Sequence, residues 1–177
     1  MQPRFKAIIQ KKQGAAVIVA GSSSDREHIK KITDSLRAYG IAHEVRVLSA
    51  HKQVREKDIA NFLKEYEAFS DCLLAFITVA GGTDALSGTL SFSLPFPVIA
   101  CAPDAVPAQP NLSCLTNPPG SSNACVIRPE NTARFVAQLF AWRNPAVAKK
   151  LTDEVEEKIK KLRAADETLR KEMRYEG

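Results

Sequence analysis

Apolar runs alternate with segments of helical periodicity along most of the chain. The continuous run Ala15–Ala20 ends at Gly21 and predicts a strand that is buried on both faces. Further apolar or alternating segments predict strands at residues 45–47, 72–79, 97–102 and 124–127. Because strands that alternate with helices form parallel sheets, this order predicts an α/β fold with a central parallel sheet.

Segments with helical periodicity connect the predicted strands. In the first of them, Ile29, Ile32 and Leu36 recur at spacings of three and four residues, and Gly40 supplies a stop. Comparable segments predict helices at residues 54–69, 84–90 and 129–142. Helices on both faces of the sheet give a three-layer α/β/α sandwich, so we predict a flavodoxin-like domain.

The pattern divides the chain into three parts. Residues 1–14 are predicted to be a basic N-terminal tail, residues 15–145 an α/β domain, and residues 146–177 a C-terminal helical arm. Within the arm, residues 146–173 carry an apolar stripe among mixed charges and predict one long helix. Because the sheet is complete without this helix, we interpret it as an arm that packs on a neighbouring subunit. The alternative is a helix that docks on its own domain.

The composition is that of an ordinary globular domain. The chain has 177 residues, of which 45% are apolar and 25% charged, so it can form a core and is not disordered. Its net charge of +5 lies mostly in the first 24 residues, which favours a basic tail over a nucleic-acid surface. No apolar run has the roughly 18 residues of a membrane span, and the N-terminus has no secretory signal. We therefore expect a cytoplasmic protein that binds neither nucleic acid nor membranes.

The cysteines do not indicate a metal site. Cys72, Cys101, Cys114 and Cys125 form no CxxC pair and have no histidine at ligand spacing. Three of them lie in or beside apolar segments. We therefore expect free, mostly buried thiols in a reducing compartment, and no metal.

Polar segments directly follow the first three predicted strands, at residues 21–25, 49–52 and 80–84. Because ligands of parallel α/β sheets bind beyond the carboxyl ends of the strands, we expect these segments to meet at one edge. The first is a Gly/Ser turn into a helix, whose backbone N–H groups and hydroxyls suit a phosphate. Helix capping by Ser24 or Asp25 is the alternative.

The third segment is rich in small residues, which let a ligand approach the backbone closely. Thr83 or Asp84 as a simple helix cap is the alternative interpretation of that segment.

His51 is the strongest candidate for chemistry. A histidine at a strand end can accept and donate protons near neutral pH, and the adjacent Lys52 can bind a phosphate as a point charge. His28 and His43 lie apart from other candidate groups, and we expect them to be structural or solvent-facing. The residues alone thus predict a small anionic ligand and one acid/base histidine, without specifying a reaction.

Five motifs occur in order along residues 15–142. They are GSSSD at 21–25, SAHK at 49–52, AGGTDALSG at 80–88, PVIAC at 97–101 and NPPG at 117–120. Together they resemble the PurE family, the aminoimidazole ribonucleotide (AIR) carboxylases and mutases of purine biosynthesis. The SAHK and ALSG forms are similar to the second class of that family, which carboxylates AIR directly with CO2. The first class isomerises the N5-carboxy compound.

The resemblance implies a role for each motif. His51 would be the catalytic residue that moves the proton of the aminoimidazole C4 atom. The implied substrate-binding residues are Gly21, Ser22, Ser24, Asp25, Ser49, Ala50, Lys52, Ala80, Gly81, Ser87 and Gly88. The family uses CO2 as co-substrate without a metal or organic cofactor. Its members form homo-octamers with active sites between subunits, which implies an intersubunit role for the C-terminal helix.

Three departures from the pattern of the second class change the charge. Gly82 and Thr116 stand where that class usually has arginines, and Asp84 stands where it usually has asparagine. Losing two cations is expected to weaken the binding of an anionic substrate, by about 1.5–3 kcal/mol for each charge-assisted bond. Lys52 and backbone amides are the candidate replacements.

Two other functions are alternatives to the carboxylase. The first is the mutase, which SAHK and Ala85 disfavour because the first class has histidine in place of Ala85. The second is a non-catalytic nucleotide-binding paralogue, which the missing arginines favour and the intact GSSSD and SAHK motifs disfavour.

Overall fold

The computed structural model describes residues 1–52, 57–104 and 109–173. Within these ranges, helices cover both faces of a parallel sheet. Its strands are β1 (Ala15–Ala20), β2 (Ala42–Val47), β3 (Leu74–Val79), β4 (Val98–Ala100) and β5 (Ala124–Cys125). The helices are α1 (Pro3–Ile9), α2 (Arg26–Ala38), α3 (Asp58–Glu67), α4 (Ala85–Ser93), α5 (Pro129–Ala141) and α6 (Pro145–Glu172), with short 3-10 helices at Ser23–Asp25 and Ser113–Thr116.

The strand order is β2-β1-β3-β4-β5, and all neighbours pair in parallel. The last residue of β1, Ala20, lies opposite Val47 of β2 and Val79 of β3. Because these three strands end at the same level, the segments that follow them begin side by side. The pairing register therefore positions the candidate site.

The core consists of two apolar layers, one on each face of the sheet. Val17 and Phe76 face one layer, while Ile18 and Ile77 face the other. Strands β1 and β3 are buried at every residue because they lie between other strands and beneath helices on both sides. Burying each large apolar side chain contributes about 1.5–3 kcal/mol. This double burial explains why both strands are continuous apolar runs in the sequence.

The first residues form a helix that the sequence pattern does not predict. Within the predicted tail 1–14, helix α1 buries Phe5 and Ile9 in one core layer. The backbone N–H of Gln2 donates to the buried carboxylate of Glu44 at 3.2 Å, which fixes the start of the helix. The helix has only seven residues, so its periodicity is too short to stand out beside the cluster of basic side chains.

The predicted helix at 54–69 begins at Asp58 in the structure, and its first positions, up to 56, lie outside the described residues. The same is true of residues 105–108 in the predicted loop and of 174–177 in the predicted arm. The loop also contains the 3-10 helix Ser113–Thr116, which has too few residues to show periodicity.

The long C-terminal helix is present as α6. Its first half docks on its own domain: Val147 is buried, and Arg134 of α5 binds Glu154 at 2.6 Å. Its second half exposes apolar side chains, with Ile159 44% and Leu162 71% accessible. Docking on its own domain thus applies to the first half of the helix, whereas packing of the second half on a neighbouring subunit stays a prediction. Among the described helices, none is long and apolar enough to cross a membrane.

We predict that Phe5→Ala lowers the free energy of unfolding by about 3 kcal/mol, because it removes a side chain buried in the core. Urea denaturation measures the change. Lys11→Ala, at an exposed position of the same segment, is the matched control and should stay within about 0.5 kcal/mol of the wild type. Equal stability of the two variants would show that helix α1 contributes nothing to the fold.

Candidate active site

The segments that follow β1, β2 and β3 line one cavity of about 200 Å³ at the carboxyl edge of the sheet. Its lining residues are Gly21, Ser22, Asp25, Ser49, Ala50, His51, Ala80, Gly81, Ala85 and Leu86. The convergence expected from the sequence therefore occurs, and it follows from the register of the three strands. Eight of these residues were predicted from the sequence.

The first segment turns sharply after β1. The N–H of Gly21 donates to the carbonyl of Val79 at 2.8 Å, which ties the turn to the end of β3. Ser22 is the residue that caps the following 3-10 helix, since its hydroxyl accepts from the N–H of Ser24 at 3.2 Å. Ser24 is exposed and donates to Asp25 at 3.4 Å rather than lining the cavity. Of the two predicted caps, Asp25 occupies the N-cap position of α2 but makes no side-chain capping hydrogen bond, and Ser24 is not a cap.

The second segment places His51 on the cavity. Ser49 and Ala50 line it as well, and the hydroxyl of Ser49 accepts from the N–H of Lys52 at 3.2 Å. The side chain of His51 is exposed, so it is accessible to a ligand and to solvent. Lys52 is also exposed and does not line the cavity. Its implied role at a phosphate remains a prediction.

The third segment forms a tight turn with left-handed backbone. Gly82 has φ of 65° and Asp84 has φ of 41°, and the N–H of Asp84 donates to the carbonyl of Gly81 at 3.3 Å. The turn leads directly into α4, whose first residues, Ala85 and Leu86, line the cavity. These two residues were not predicted from the sequence, because apolar residues in a helix normally indicate the core. Their position in the first turn after a strand was the available signal.

Ser87 and Gly88 do not line this cavity. Ser87 is buried, and its hydroxyl donates to the backbone carbonyl of Asp84 at 3.1 Å. Gly88 packs against Asn117, whose Oδ1 would lie 2.7 Å from a Cβ at this position. Both residues instead support the start of α4 and its contact with the 117–121 segment. Their implied role in binding substrate stays a prediction.

Asp84 is a buried carboxylate behind the turn. It caps α4, since its Oδ1 accepts from the N–H of Ser87 at 3.4 Å, whereas its Oδ2 has no hydrogen-bond partner among the described residues. Burial raises the pKa of Asp84 to about 6, against the lowering effect of the bonds from Ser87. Nearby Asp104 adds to the increase. Of the two residues predicted to cap this helix, Thr83 and Asp84, the cap is thus Asp84.

The other histidines and the buried thiols have structural partners. His28 is half-buried, and its Nε2 lies 3.1 Å from the carbonyl of Cys101; burial lowers the pKa of this histidine. His43 Nδ1 lies 3.1 Å from the carbonyl of Ile41. Burial raises the pKa of the Cys101 thiol to about 11, so this group stays protonated at neutral pH.

All four cysteines are free, with Cys101 and Cys114 buried and Cys72 and Cys125 half-buried. In the ranges that the structure covers, no three His, Cys, Asp or Glu side chains come together as a metal site.

Together, the fold and the cavity define a flavodoxin-like α/β protein with a small-ligand site at the carboxyl edge of its parallel sheet. The sequence profile of the AIR carboxylase family matches residues 15–161. The chain belongs to the AIR carboxylase family.

Several relatives cover almost the same length. The chain is 34% identical over 157 residues to a phosphoribosylaminoimidazole carboxylase of Treponema denticola, covering 88% of this chain and 97% of that protein. It is 36% identical to one of Archaeoglobus fulgidus, covering 88% and 84%. An N5-carboxyaminoimidazole ribonucleotide mutase of Methanocaldococcus jannaschii is 32% identical over 159 residues, covering 86% and 96%.

The crystal structure of Treponema denticola PurE superposes with a TM-score of 0.80 at 33% identity, covering 88% of this chain and 98% of that one. The predicted flavodoxin-like fold and the predicted family are thereby confirmed.

We predict that the stability of Asp84→Asn relative to the wild type is higher at pH 7.5 than at pH 4. The folded-state pKa of Asp84 is raised, so the folded state holds a proton that the unfolded state loses between about pH 4 and pH 6. Wild-type stability therefore falls as the pH rises through this window. Because asparagine cannot ionise, the free energy of unfolding of the variant minus that of the wild type should increase by about 2–3 kcal/mol from pH 4 to pH 7.5.

Urea denaturation at the two pH values measures this difference. Asp34→Asn is the control of opposite sign, because hydrogen bonds from Lys30 and Arg37 hold the pKa of the exposed Asp34 below its usual value. That variant should lose stability at neutral pH relative to pH 4. A pH-independent effect of Asp84→Asn would contradict the raised pKa.

Proposed function

We propose that this chain is an AIR carboxylase of de novo purine biosynthesis. It joins CO2 to 5-aminoimidazole ribonucleotide and forms 4-carboxy-5-aminoimidazole ribonucleotide. The observation that carries the proposal is the position of His51 on the cavity where the three motif segments converge. Family membership supplies the substrate class, and the cavity supplies a place for its chemistry.

The chemistry needs one mobile proton. The exocyclic amine of the aminoimidazole makes C4 a carbon nucleophile, which attacks the carbon of CO2. A C–C bond forms, and one C=O electron pair moves onto oxygen to give a carboxylate. The imidazole of His51 then accepts the proton from C4, and the electron pair of that C–H bond restores the aromatic ring. The same histidine returns the proton in the reverse direction, and the reaction uses no metal or organic cofactor.

The phosphate and ribose are assigned to the other polar segments. The turn through Ser22 and Asp25 lies at the start of α2, where backbone N–H groups and hydroxyls favour an anion. Gly82 offers no side chain, and the hydroxyl of Thr116 donates to the carbonyl of Ser113 at 2.9 Å. Neither position supplies a cation, so Lys52 is left as the positive group beside the motif histidine.

The mutase is the second candidate, because one relative of similar length carries that name. Ala85 counts against it, since this cavity residue stands where the first class has histidine. We also propose a cytoplasmic location. The free cysteines support it, because reducing compartments keep thiols unpaired.

We predict that His51→Asn lowers turnover of AIR with CO2 by about 10²–10⁴-fold, because it removes the group that moves the C4 proton. The dissociation constant for AIR should change little. Ultraviolet absorbance of the carboxylated product and calorimetry measure the two quantities. His43→Asn is the matched control, since this histidine lies on β2 away from the cavity, and it should retain activity.

Full activity of the His51 variant would contradict the proton-transfer role. A wild-type protein that consumes only the N5-carboxy compound would establish the mutase instead. Binding of AIR without turnover of either substrate would favour a non-catalytic nucleotide-binding protein.

We propose that the protein assembles as a homo-octamer and that the outer half of α6 contributes to the contact between subunits. A line of exposed apolar side chains begins at Val155 in the inner half and continues along the outer half with Ile159, Leu162, Leu169 and Met173. Exposed apolar stripes of this kind mark interaction surfaces. The inner half is anchored to α5 through Arg134 and Glu154, so the stripe is held away from its own domain's core.

We predict that Leu162→Asp lowers the mass measured by light scattering, because a charge on the apolar stripe opposes its burial against another subunit. Lys160→Asp, on the polar side of the same helix, is the matched control and should leave the mass unchanged. An unchanged mass of the Leu162 variant would show that the stripe takes no part in assembly.

A further inference from the structure

The turn that lines the cavity is held from outside by three side chains of the segments after β4, namely Asp104, Asn111 and Ser113. Oδ2 of Asp104 accepts from the N–H of Gly82 at 2.9 Å. The amide of Asn111 donates to the other oxygen of Asp104 at 2.9 Å and to the carbonyl of Gly82 at 2.9 Å. Ser113 donates to the same carbonyl at 3.1 Å. Both backbone polar groups of Gly82 are therefore bonded to these side chains.

Asp104 also contacts the residue that faces the cavity. Its Oδ2 would lie 2.9 Å from a Cβ at Gly81, a distance at which one of the two groups would have to move. Gly81 itself lines the cavity. The carboxylate thus packs directly against the backbone of a residue that would face a bound substrate.

The charge of Asp104 suits this position. Burial alone would raise its pKa, but the bonds from the Gly82 N–H and the Asn111 amide hold the pKa of this carboxyl below its usual value. At neutral pH the group is therefore an ionised acceptor. Charge-assisted bonds from N–H groups to a carboxylate are stronger than neutral ones.

The turn needs such external bonds. Gly82 and Asp84 both have left-handed backbone, which is unfavourable for a residue with a side chain such as Asp84. The space beside the Cα of Gly82 is open, since a Cβ built there would have no neighbour within 4 Å. Packing therefore does not fix this part of the turn. Its conformation depends on what bonds its backbone, namely Asp104, Asn111 and Ser113.

We propose that Asp104 is a positioning residue for the reaction, with Asn111 as its second arm. We call this pair the Asp104–Asn111 clamp. It fixes the Gly81–Gly82 turn, so that the cavity keeps the shape in which C4 and CO2 meet near His51. The role rests on the proposed function, because the clamp acts on the substrate only through the turn.

The test compares four variants of the full-length protein: Asp104→Ala, Asn111→Asp, the double variant Asp104→Asn/Asn111→Asp, and the control Asp34→Ala. The control removes an exposed carboxylate on helix α2 that also accepts two side-chain bonds and does not line the cavity. Amide hydrogen exchange of the peptide around Gly82 measures the clamp itself, without reference to any substrate. Kinetics with AIR and CO2, separated into kcat and KM, measure its effect on the reaction.

Asp104→Ala should accelerate exchange at Gly82 about tenfold or more, because the N–H loses its acceptor. It should also lower kcat/KM by about 10–100-fold, since small displacements of a positioned site have effects of this size. The melting temperature should change no more than in the Asp34 control. A purely structural residue would shift the melting temperature and leave kcat and KM unaltered.

The double variant provides a rescue. Asn111→Asp alone places two carboxylates face to face and should impair exchange protection and kcat/KM as strongly as Asp104→Ala. In the double variant, the new amide at 104 can donate to the new carboxylate at 111, while its carbonyl accepts from Gly82. The carboxylate at 111 cannot donate to the Gly82 carbonyl, which keeps only the bond from Ser113. Part of the loss should therefore be recovered relative to Asn111→Asp alone, and the two substitutions should be non-additive.

Unchanged exchange at Gly82 in Asp104→Ala would overturn the clamp whatever the activity. Faster exchange with unchanged kcat/KM would overturn the positioning role. If the wild-type protein binds AIR without turnover, the proposed function fails. In that case a larger dissociation constant of Asp104→Ala for AIR supports the positioning role, and an unchanged one overturns it. If it does not bind AIR, the positioning role fails with the function, and exchange alone reports on the clamp.

Discussion

Parallel pairing in register is the constraint on which the rest of the structure depends. Strands β1, β2 and β3 end at one level, so three chain segments far apart in sequence begin side by side. Burial of β1 and β3 on both faces prevents the strands from slipping, because a shift by one residue would reverse which side chains face each layer. The cavity is thus a consequence of the core, and its residues need not stabilise the fold themselves.

The balance of charge at this edge is unusual for a protein that binds an anionic nucleotide. The positions where arginines were expected carry Gly82 and Thr116, while two carboxylates, Asp84 and Asp104, lie behind the turn. One is buried with a raised pKa, and the other is neutralised in part by backbone and amide donors. Neither carboxylate lines the cavity, and that of Asp104 accepts from the N–H of Gly82. In the proposed function, the binding of the anionic substrate is therefore assigned to backbone N–H groups and to Lys52.

The sequence predicted what is local or periodic and missed what depends on distant contacts. Strand β1 was predicted because double burial leaves a continuous apolar run, and His51 was found because it follows a strand within a motif. Helix α1 was missed because seven residues are too few to establish a period. Asp104 and Asn111 were missed because a bond between loops leaves no trace in local spacing.

Helix α6 has a further consequence for recognition. Its 28 residues span about 42 Å, and the contacts of its first half fix the direction of the whole rod. The apolar stripe on the outer half is therefore presented at a defined angle before any partner arrives. Little conformational entropy is lost when such a rigid element is bound, so even a narrow stripe can give a stable and geometrically specific contact.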